Sequence, residues 1–377
     1  MSDQEKHEGL EGVVIANSSL TKIFGDEGRL VYRGISIEDL AEHSTFEEVT
    51  KFLWDGKLPT QDDLDAFRND LAERRQLPDR LKQIIELAPD KARPMDVLRS
   101  SVSMLGTIRA SEMDVNTDEA RREIALDLVA ILPTIVATFD RLRRNKDPVR
   151  PRKDLNHAEN FLFMLNGEEP DEEVARAMDI ALILHADHGF NASTFSARVT
   201  GATLADFFAA ITSAIGTLSG PLHGGANEQV LNMLREIEEF ENTDDYLDRK
   251  FENSEKIMGF GHRVYNEYDP RARVLKEWSR RLNERNDDLS YYKIQERIEE
   301  RMINKVGIDP NVDFWSASVY NAMGIEADLF TPIFACSRIA GWTANLFEQM
   351  ADNRLIRPLC NYTGPDSAEY VPIEERS

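Results

Sequence analysis

Four histidines lie in three motifs that are marked by glycine, and they are the side chains best suited to acid–base chemistry. His185 and His188 occur in LHADHGFNAST, His223 in SGPLHGGAN and His262 in GFGHRVYNEYDPR. An imidazole can donate or accept a proton near neutral pH. A histidine on a helix can also be a satisfied structural group, and the spacing of His185 and His188 allows a metal pair.

His223 stands immediately before a predicted helix. A Gly-Pro pair ends the preceding helix, and two glycines lead from His223 into the next helix near Ala226. The partial positive charge at a helix N-terminus disfavours an imidazolium ion. We therefore expect a neutral His223 that donates a hydrogen bond to a carbonyl oxygen as that oxygen becomes anionic.

Asp313 is the candidate general base. It follows Pro310 at a predicted helix start, and Phe314 and Trp315 stand beside it. Large apolar neighbours keep water from a carboxylate and make it a stronger base than it is in solution. The same position also suits a plain helix N-cap, and the sequence leaves both interpretations open.

A basic stretch in this acidic chain predicts an anionic ligand. From Lys256 to Lys276 there are five cationic and two anionic residues, whereas the whole chain has a net charge of −23. Gly259 and Gly261 in this stretch could let the backbone approach a ligand closely.

Three arginines suit a dicarboxylate, since a guanidinium binds carboxylates in a bidentate fork. They are Arg271 in the basic stretch, Arg338 in ACSRIAGW and Arg357 in NRLIRPL. Arg338 lies within a predicted apolar helix, where an unpaired charge is costly. It therefore needs a carboxylate partner from the protein or from a ligand.

The elements that must position these residues are predicted to be helices. Beyond the first 36 residues, apolar side chains recur at three- and four-residue spacing. Residues 9–35 instead hold short apolar runs between Gly, Asn and Asp, which predicts one or two short strands or extended segments. Two Thr-x-x-Asp sequences, Thr60 to Asp63 and Thr203 to Asp206, predict helix caps. The expected fold class is all-α and multihelical, with a short extended N-terminal segment.

We predict two domains around a cleft. The segment 226–324 is flanked by His-Gly-Gly and Met-Gly and contains the basic stretch and charge-rich helices. It would form a smaller domain, with residues 1–225 and 325–377 forming the large domain. Ile124 to Phe139 is the most apolar run, and it is too short to cross a bilayer, so a buried helix is expected.

The composition limits the class of protein. Two cysteines, Cys336 and Cys360, lack C-x-x-C spacing, which fits a reducing compartment and argues against a disulfide framework. The polar N-terminus has no apolar signal core, so we expect a cytoplasmic protein without a membrane partner. A chain this acidic is also a poor nucleic-acid binder.

The charge balance has two interpretations. Acidic residues number 68 against 45 basic ones, and only 13 of the 45 are lysine. The excess could be a solvated, self-repelling surface that improves solubility. It could also be an adaptation to high salt, where counterions screen the repulsion, and the scarcity of lysine favours this interpretation.

Together the motifs resemble those of the citrate synthase family. LHADHGFNAST, SGPLHGGANE, GFGHRVYNEYDPR and PNVDFWSA occur in that family's order and spacing, and GLEGVV, FLWDGKLP, MDVLRSSVSMLG and RPLCNY extend the resemblance over nearly the whole chain. The length resembles the shorter archaeal and Gram-positive type. The resemblance implies a mostly helical homodimer that condenses acetyl-CoA with oxaloacetate and water to give citrate and CoA. It implies no metal ion and no cofactor other than the CoA thioester substrate.

The resemblance also implies catalytic roles. Asp313 would take a proton from the acetyl methyl group. His223 would hydrogen-bond to the thioester carbonyl and stabilise the enol or enolate. His262 would polarise the oxaloacetate carbonyl and help to donate a proton as the new carbon–carbon bond closes.

Binding roles are implied in the same way. The oxaloacetate ligands would be His188, Arg271 and Arg338, with Arg357 reaching across from the partner subunit. The loop along CoA would consist of Lys256, Ile257, Met258, Gly259 and Phe260. Two positions depart from the family: Arg93, where histidine is common, and Asn266, where lysine is frequent. The second change puts the CoA affinity in doubt.

Two alternatives remain open from the sequence. A 2-methylcitrate synthase would have the same fold and catalytic groups but would use propionyl-CoA. A protein of another class would be a non-catalytic helical scaffold or a metal-binding protein using His185 and His188.

Overall fold

The computed structural model describes residues 7–376, and helices account for most of them. The strands are β1 Thr21–Phe24, β2 Arg29–Tyr32 and β3 Ile35–Ser36. The α-helices are α1 Ile37–His43, α2 Phe46–Asp55, α3 Gln61–Arg74, α4 Asp79–Glu86, α5 Pro94–Ala110, α6 Asp118–Arg143, α7 His157–Asn166, α8 Glu172–His185, α9 Ala192–Gly201, α10 Phe207–Leu218, α11 Ala226–Ile237, α12 Thr243–Glu252, α13 Pro270–Arg285, α14 Ser290–Val306, α15 Val312–Ala322 and α16 Phe330–Ala351. The predicted all-α class with a short extended N-terminal segment is confirmed.

The strands form a small antiparallel sheet in the order β1-β2-β3. The sheet places Tyr32 in the core, where its hydroxyl donates to the carbonyl oxygen of Asp187 at 2.8 Å and accepts from the amide of Asp187 at 3.1 Å. The hydroxyl of Thr21 donates to the Asp187 carboxylate. The sheet therefore holds the segment that leads into His188.

The two longest helices, α6 and α16, pack against each other in the hydrophobic core. Every residue from Ile124 to Asp140 is buried, which confirms the buried helix expected there. Asp127 on this helix accepts a hydrogen bond from Arg74 at 2.9 Å and forms an ion pair with Arg109 at 2.7 Å, so its buried charge is paired. No helix in residues 7–376 is long and apolar enough to cross a membrane.

One of the two predicted helix caps is confirmed. Thr60 and Asp63 form a reciprocal capping box at the start of α3. The cap predicted at Thr203 is wrong, because Asp206 caps α10 and accepts from the amide of Ala209 at 3.0 Å. Leu204 has a φ of 67°, and this left-handed turn prevents a helix from beginning at Thr203.

Helices α11 to α15 pack largely on one another. Both α11 and α13 pack against α15, and α12 packs against α14. The group is joined to the rest of the chain through contacts of α13 with α1 and α8 and of α11 with α16. One continuous hydrophobic core extends through both parts. The division into a 226–324 domain and a larger domain of residues 1–225 and 325–377 stays a prediction.

Candidate active site

Asn311 ties the loop before His262 to the start of α15. Its amide N–H donates to the carbonyl oxygen of Gly259 at 2.9 Å, and its side-chain Nδ2 donates to that of Gly261 at 3.0 Å. Its Oδ1 also caps α15 by accepting from the amide of Asp313 at 3.0 Å. One asparagine therefore sets the position of the loop relative to the first turn of α15.

Position 259 must be glycine, because the loop there lies too close to α11 and α15 to leave room for a side chain. Its φ is 83°, and a Cβ atom there would lie 2.8 Å from Cβ of Phe314 on α15 and 2.8 Å from Cγ2 of Val230 on α11. Any side chain would push the loop away from α15. The close approach is thus to the protein itself, which differs from the approach to a ligand expected at this glycine.

Asp313 is not the cap of α15, because Asn311 has that role. The carboxylate of Asp313 accepts no hydrogen bond from the described residues, and the residue is only partly exposed. Burial raises the pKa of Asp313 to about 6; nearby Asp269 adds to this rise, and Arg271 and Arg338 oppose it. The result is a carboxylate that is a stronger base than one in water and is free to take up a proton.

His262 has its neutral tautomer set by the backbone. Its Nδ1 accepts from the amide of Val264 at 3.0 Å and from that of Tyr265 at 3.3 Å. A ring nitrogen that accepts carries no proton, so the proton lies on Nε2. Burial, together with the positive charge of Arg271, lowers the pKa of His262 to about 4. At neutral pH this imidazole can donate its Nε2–H to a ligand.

His223 has the opposite tautomer. Its Nε2 accepts from the amide of Ser193 at 3.2 Å and lies 2.8 Å from the Ser193 hydroxyl oxygen, so the proton lies on Nδ1. Burial lowers the pKa of His223 to about 4, with a further contribution from Arg338. The histidine lies just before α11, as expected. His223 is a neutral donor, as expected. The cause of its lowered pKa is burial and the charge of Arg338, whereas the helix N-terminus was the cause expected from the sequence.

His188 is buried against two other rings of the site. Its ring centroid lies 5.0 Å from that of His262 and 5.6 Å from that of Tyr265, and its Nε2 lies 3.3 Å from the Tyr265 hydroxyl. Burial and then the positive charge of Arg271 lower the pKa of His188 well below its usual value, so the ring is neutral. The structure thus brings His188 and His262, 74 residues apart in the sequence, into contact.

Arg271 is buried in an ion pair with Asp269. Its Nε and Nη2 donate to the two carboxylate oxygens at 3.0 Å and 2.7 Å. Asp269 also caps α13 by accepting from the amide of Arg271 at 3.0 Å. Burial alone lowers the pKa of Arg271, but the Asp269 carboxylate outweighs this and raises it above the ordinary value. Two of the five guanidinium N–H groups are used by Asp269, which leaves three for a ligand.

Arg338 is buried without a carboxylate partner among the described residues. Only 1% of it is exposed, its Nε donates to the carbonyl oxygen of His185 at 2.6 Å, and its guanidinium lies 4.6 Å from the Phe334 ring centroid. Burial lowers the pKa of Arg338 to about 10, against the opposing charge of Asp187, so it remains a cation at neutral pH. A buried cation of this kind can bind an anionic ligand.

The remaining candidates are Arg357 and the predicted CoA loop. Arg357 lies exposed after the end of α16 and forms no hydrogen bond or ion pair with the rest of residues 7–376. In the predicted CoA loop, Lys256 is exposed, Ile257 and Gly259 are buried, and Met258 and Phe260 are half-buried. The Phe260 ring packs on that of Phe314 at a centroid distance of 4.6 Å, which places this loop beside Asp313.

The geometry gives a metal pair no third ligand. His185 Nδ1 lies 2.7 Å from the carbonyl oxygen of Ala181, and the ring meets the Phe334 ring edge-on. No group of three or more His, Cys, Asp or Glu side chains within the described part of the chain is placed to hold a metal ion.

Four residues of the site carry no predicted role. They are Ser193, Tyr265, Asp269 and Asn311, and each orients one of the predicted residues through a hydrogen bond. The Asp-Pro pair at 269 indicates a helix start, but nothing in the sequence indicates its ion pair. The contact of Ser193 with His223 spans 30 residues and that of the Tyr265 hydroxyl with His188 spans 77, so local patterns could not have found these two contacts.

Comparison with known proteins places this arrangement in context. Residues 9–359 match the family model described as citrate synthase, C-terminal domain. The chain is 48% identical to the citrate synthase of Haloferax volcanii over 376 residues, which cover 99% of each protein. It is 49% identical to citrate synthase 2 of Bacillus subtilis over 373 residues, covering 98% of this chain and 99% of that one.

Two further comparisons concern structure and substrate. The fold superposes with a TM-score of 0.93 on citrate synthase from Thermoplasma acidophilum in a ternary complex with carboxymethyl coenzyme A and oxaloacetate, at 33% identity, covering 99% of this chain and 100% of that one. The chain is also 40% identical to 2-methylcitrate synthase 1 of Corynebacterium glutamicum, over the full length of both.

Proposed function

This chain belongs to the citrate synthase family, and on that premise we propose how its own residues carry out the family's reaction. The enzyme condenses acetyl-CoA with oxaloacetate and water to give citrate and CoA. The observation that carries the residue assignments is a partly exposed base, Asp313, combined with two neutral imidazole donors and a buried arginine that has no carboxylate partner within residues 7–376.

In the first step Asp313 takes a proton from the methyl group of acetyl-CoA. The electron pair of that C–H bond moves towards the thioester carbonyl, and Nδ1–H of His223 hydrogen-bonds to the oxygen that becomes negative. His223 suits this role because Ser193 occupies its other nitrogen. The product of the step is an enol or enolate of acetyl-CoA.

In the second step the enol carbon attacks the keto carbon of oxaloacetate. Nε2–H of His262 hydrogen-bonds to the keto oxygen and helps to donate a proton as the carbon–carbon bond closes. His188, Arg271 and Arg338 bind the oxaloacetate carboxylates and orient the keto group. Water then hydrolyses the thioester of citryl-CoA, which releases citrate and CoA.

The acyl donor is tested by a thiol-release assay with oxaloacetate and either acetyl-CoA or propionyl-CoA. We expect a higher kcat/KM for acetyl-CoA, with some activity on propionyl-CoA, since one methylene changes binding by only about 1–3 kcal/mol. A higher kcat/KM for propionyl-CoA would instead identify a 2-methylcitrate synthase. This is the second candidate function, because the chain is also similar to 2-methylcitrate synthase 1 of Corynebacterium glutamicum.

The rate should depend on pH through Asp313. A base must be ionised to act, and the pKa of Asp313 is raised to about 6, so kcat/KM for acetyl-CoA should rise as the pH increases through about 6. His223 and His262, with pKa values of about 4, remain neutral over this range. The measurement is kcat/KM from pH 4.5 to 8, with oxaloacetate affinity followed in parallel. A flat profile between pH 5 and 7 would contradict the assignment.

We also propose that Lys256 to Phe260 lie along CoA and that the enzyme is a homodimer in which Arg357 reaches the partner's oxaloacetate site. The exposed position of Arg357 supports this, as do the large apolar side chains exposed after α16, among them Leu355, Leu359, Tyr362 and Tyr370. Sedimentation velocity would measure the mass, and a monomer that retains full activity would refute the shared site.

Cytoplasmic location stays a proposal. It is supported by Cys336 and Cys360, which are both free thiols, as expected in a reducing compartment. The use of no cofactor beyond the CoA thioester also stays a proposal.

Stability should increase with salt if the acidic surface is an adaptation to it. The excess of 68 acidic over 45 basic residues repels itself in dilute buffer, and one similar protein comes from a halophile. We expect the melting temperature to rise between 0.05 M and 2 M KCl. A variant with the exposed Asp65 and Asp70 changed to asparagine should show a smaller rise. An unchanged melting temperature in both proteins would leave the acidic surface as a solubility feature.

A further inference from the structure

We infer that Tyr265 is a positioning residue that holds His188 and His262 in opposite tautomers, through its side-chain hydroxyl and its backbone N–H respectively. The inference rests on the proposed function, in which both histidines face oxaloacetate. It concerns how the site is pre-organised for that ligand.

Tyr265 lies against both histidine rings. Only 6% of it is exposed, and its ring centroid lies 4.8 Å from that of His262 and 5.6 Å from that of His188. The two histidine rings also meet each other at 5.0 Å. The three rings therefore form one cluster, in which His188 and Tyr265 are buried and His262 is half-buried, and no other tyrosine ring in residues 7–376 packs on both histidines.

The direction of the hydroxyl hydrogen bond follows from its partners. The Tyr265 oxygen lies 3.3 Å from Nε2 of His188, and it has no other hydrogen-bond partner in the described part of the chain. If His188 were the donor, the hydroxyl proton would be buried without an acceptor, which is costly. If Tyr265 donates, its hydroxyl proton and Nε2 of His188 are paired with each other, and the unpaired donor is Nδ1–H of His188, which remains available to a ligand. A neutral His188 then carries its proton on Nδ1.

The backbone of the same residue acts on the other histidine. The amide of Tyr265 donates to Nδ1 of His262 at 3.3 Å, and that of Val264 donates to the same atom at 3.0 Å. His262 therefore carries its proton on Nε2. One residue thus leaves Nδ1–H of His188 and Nε2–H of His262 as the donors that remain for the ligand.

Because both histidine tautomers are set before oxaloacetate binds, less binding free energy is spent on ordering these two donors. Without the hydroxyl, His188 could place its proton on either nitrogen, and only one of those forms has a donor on Nδ1. The expected consequence is weaker oxaloacetate binding with little change in the chemical step, since the backbone bonds to His262 remain.

The test is Tyr265→Phe, which removes the hydroxyl and keeps the ring contacts and the backbone N–H. We expect the dissociation constant and the KM for oxaloacetate to rise about five-fold, the order of one net hydrogen bond, while kcat at saturating substrates stays within about two-fold. The matched control is Tyr246→Phe. Tyr246 is equally buried, but its hydroxyl binds Glu236 on α11, away from the histidines. This control should bind oxaloacetate like the wild type.

The outcomes separate this inference from the proposed function. A wild-type enzyme without condensation activity would overturn the proposed function. An active wild type in which Tyr265→Phe and Tyr246→Phe bind oxaloacetate equally well would overturn the inference, as would a loss confined to kcat.

A measurement on the wild-type enzyme does not depend on whether Tyr265→Phe folds. The ¹⁵N chemical shifts of the histidine rings report which nitrogen is protonated, and the His188 signals are identified by their loss in His188→Gln. We expect a proton on Nδ1 of His188 in the ligand-free enzyme, and a proton on Nε2 would refute the inference.

Discussion

Asp313→Asn should lower kcat by at least ~10²–10⁴-fold while oxaloacetate binding is largely retained. The asparagine amide cannot take up the methyl proton of acetyl-CoA, so the barrier to enol formation rises. Oxaloacetate is bound by other groups, the arginines and histidines around Arg338. The measurements are kcat by thiol release and the dissociation constant of oxaloacetate by calorimetry without acyl-CoA.

The fold should tolerate this change. Asn311, not Asp313, caps α15, so the helix start does not depend on the Asp313 carboxylate. Asp245→Asn is a matched control, because it removes the same charge from an exposed position on α12. If the Asp313→Asn enzyme turned over at the rate of the Asp245→Asn enzyme, Asp313 would not be the base.

Arg338→Ala should weaken oxaloacetate binding by about 2–5 kcal/mol, which corresponds to roughly 30- to 4,000-fold in the dissociation constant. Arg338 is buried and has no carboxylate partner among the described residues, so its charge is available to the ligand. Without it a ligand carboxylate would be buried unpaired. Calorimetry with oxaloacetate alone measures the effect.

Arg338→Lys is the graded control. It keeps the charge but loses the bidentate fork, so its affinity should lie between those of the wild type and the alanine variant. A wild-type dissociation constant in Arg338→Ala would exclude Arg338 from the oxaloacetate site. Arg271 offers a less clean test, because its removal also strands the buried carboxylate of Asp269 and should destabilise the protein.

Patterns within the sequence predicted the fold class, which is confirmed, and the residues proposed for the active site. Helical spacing of apolar residues predicted the helices, because a helix with one buried face must repeat in that way. The glycine-marked motifs predicted His188, His223 and His262, and the motif resemblance added their roles. The failed cap at Thr203 shows the limit of local patterns, since a single left-handed residue at Leu204 moved the helix start to the following segment.

The sequence shows that Arg271 and Arg338 are both cations, but it does not show which of them has a carboxylate partner within the protein. Tertiary structure pairs Arg271 with Asp269 and leaves Arg338 without a carboxylate in the described chain. It also decided that the Asp313 carboxylate is not a cap and has no hydrogen-bond partner in the described chain, because the nearby Asn311 takes the cap position.

The sequence by itself therefore determined the family, the helical class and which residue types could do the chemistry. Only the tertiary structure decided which ring nitrogen is protonated in His223 and His188. A histidine tautomer depends on which groups donate to each ring nitrogen, and for His223 and His188 those groups come from residues 30 and 77 positions away. Such contacts exist only after the helices have packed, so no local pattern encodes them.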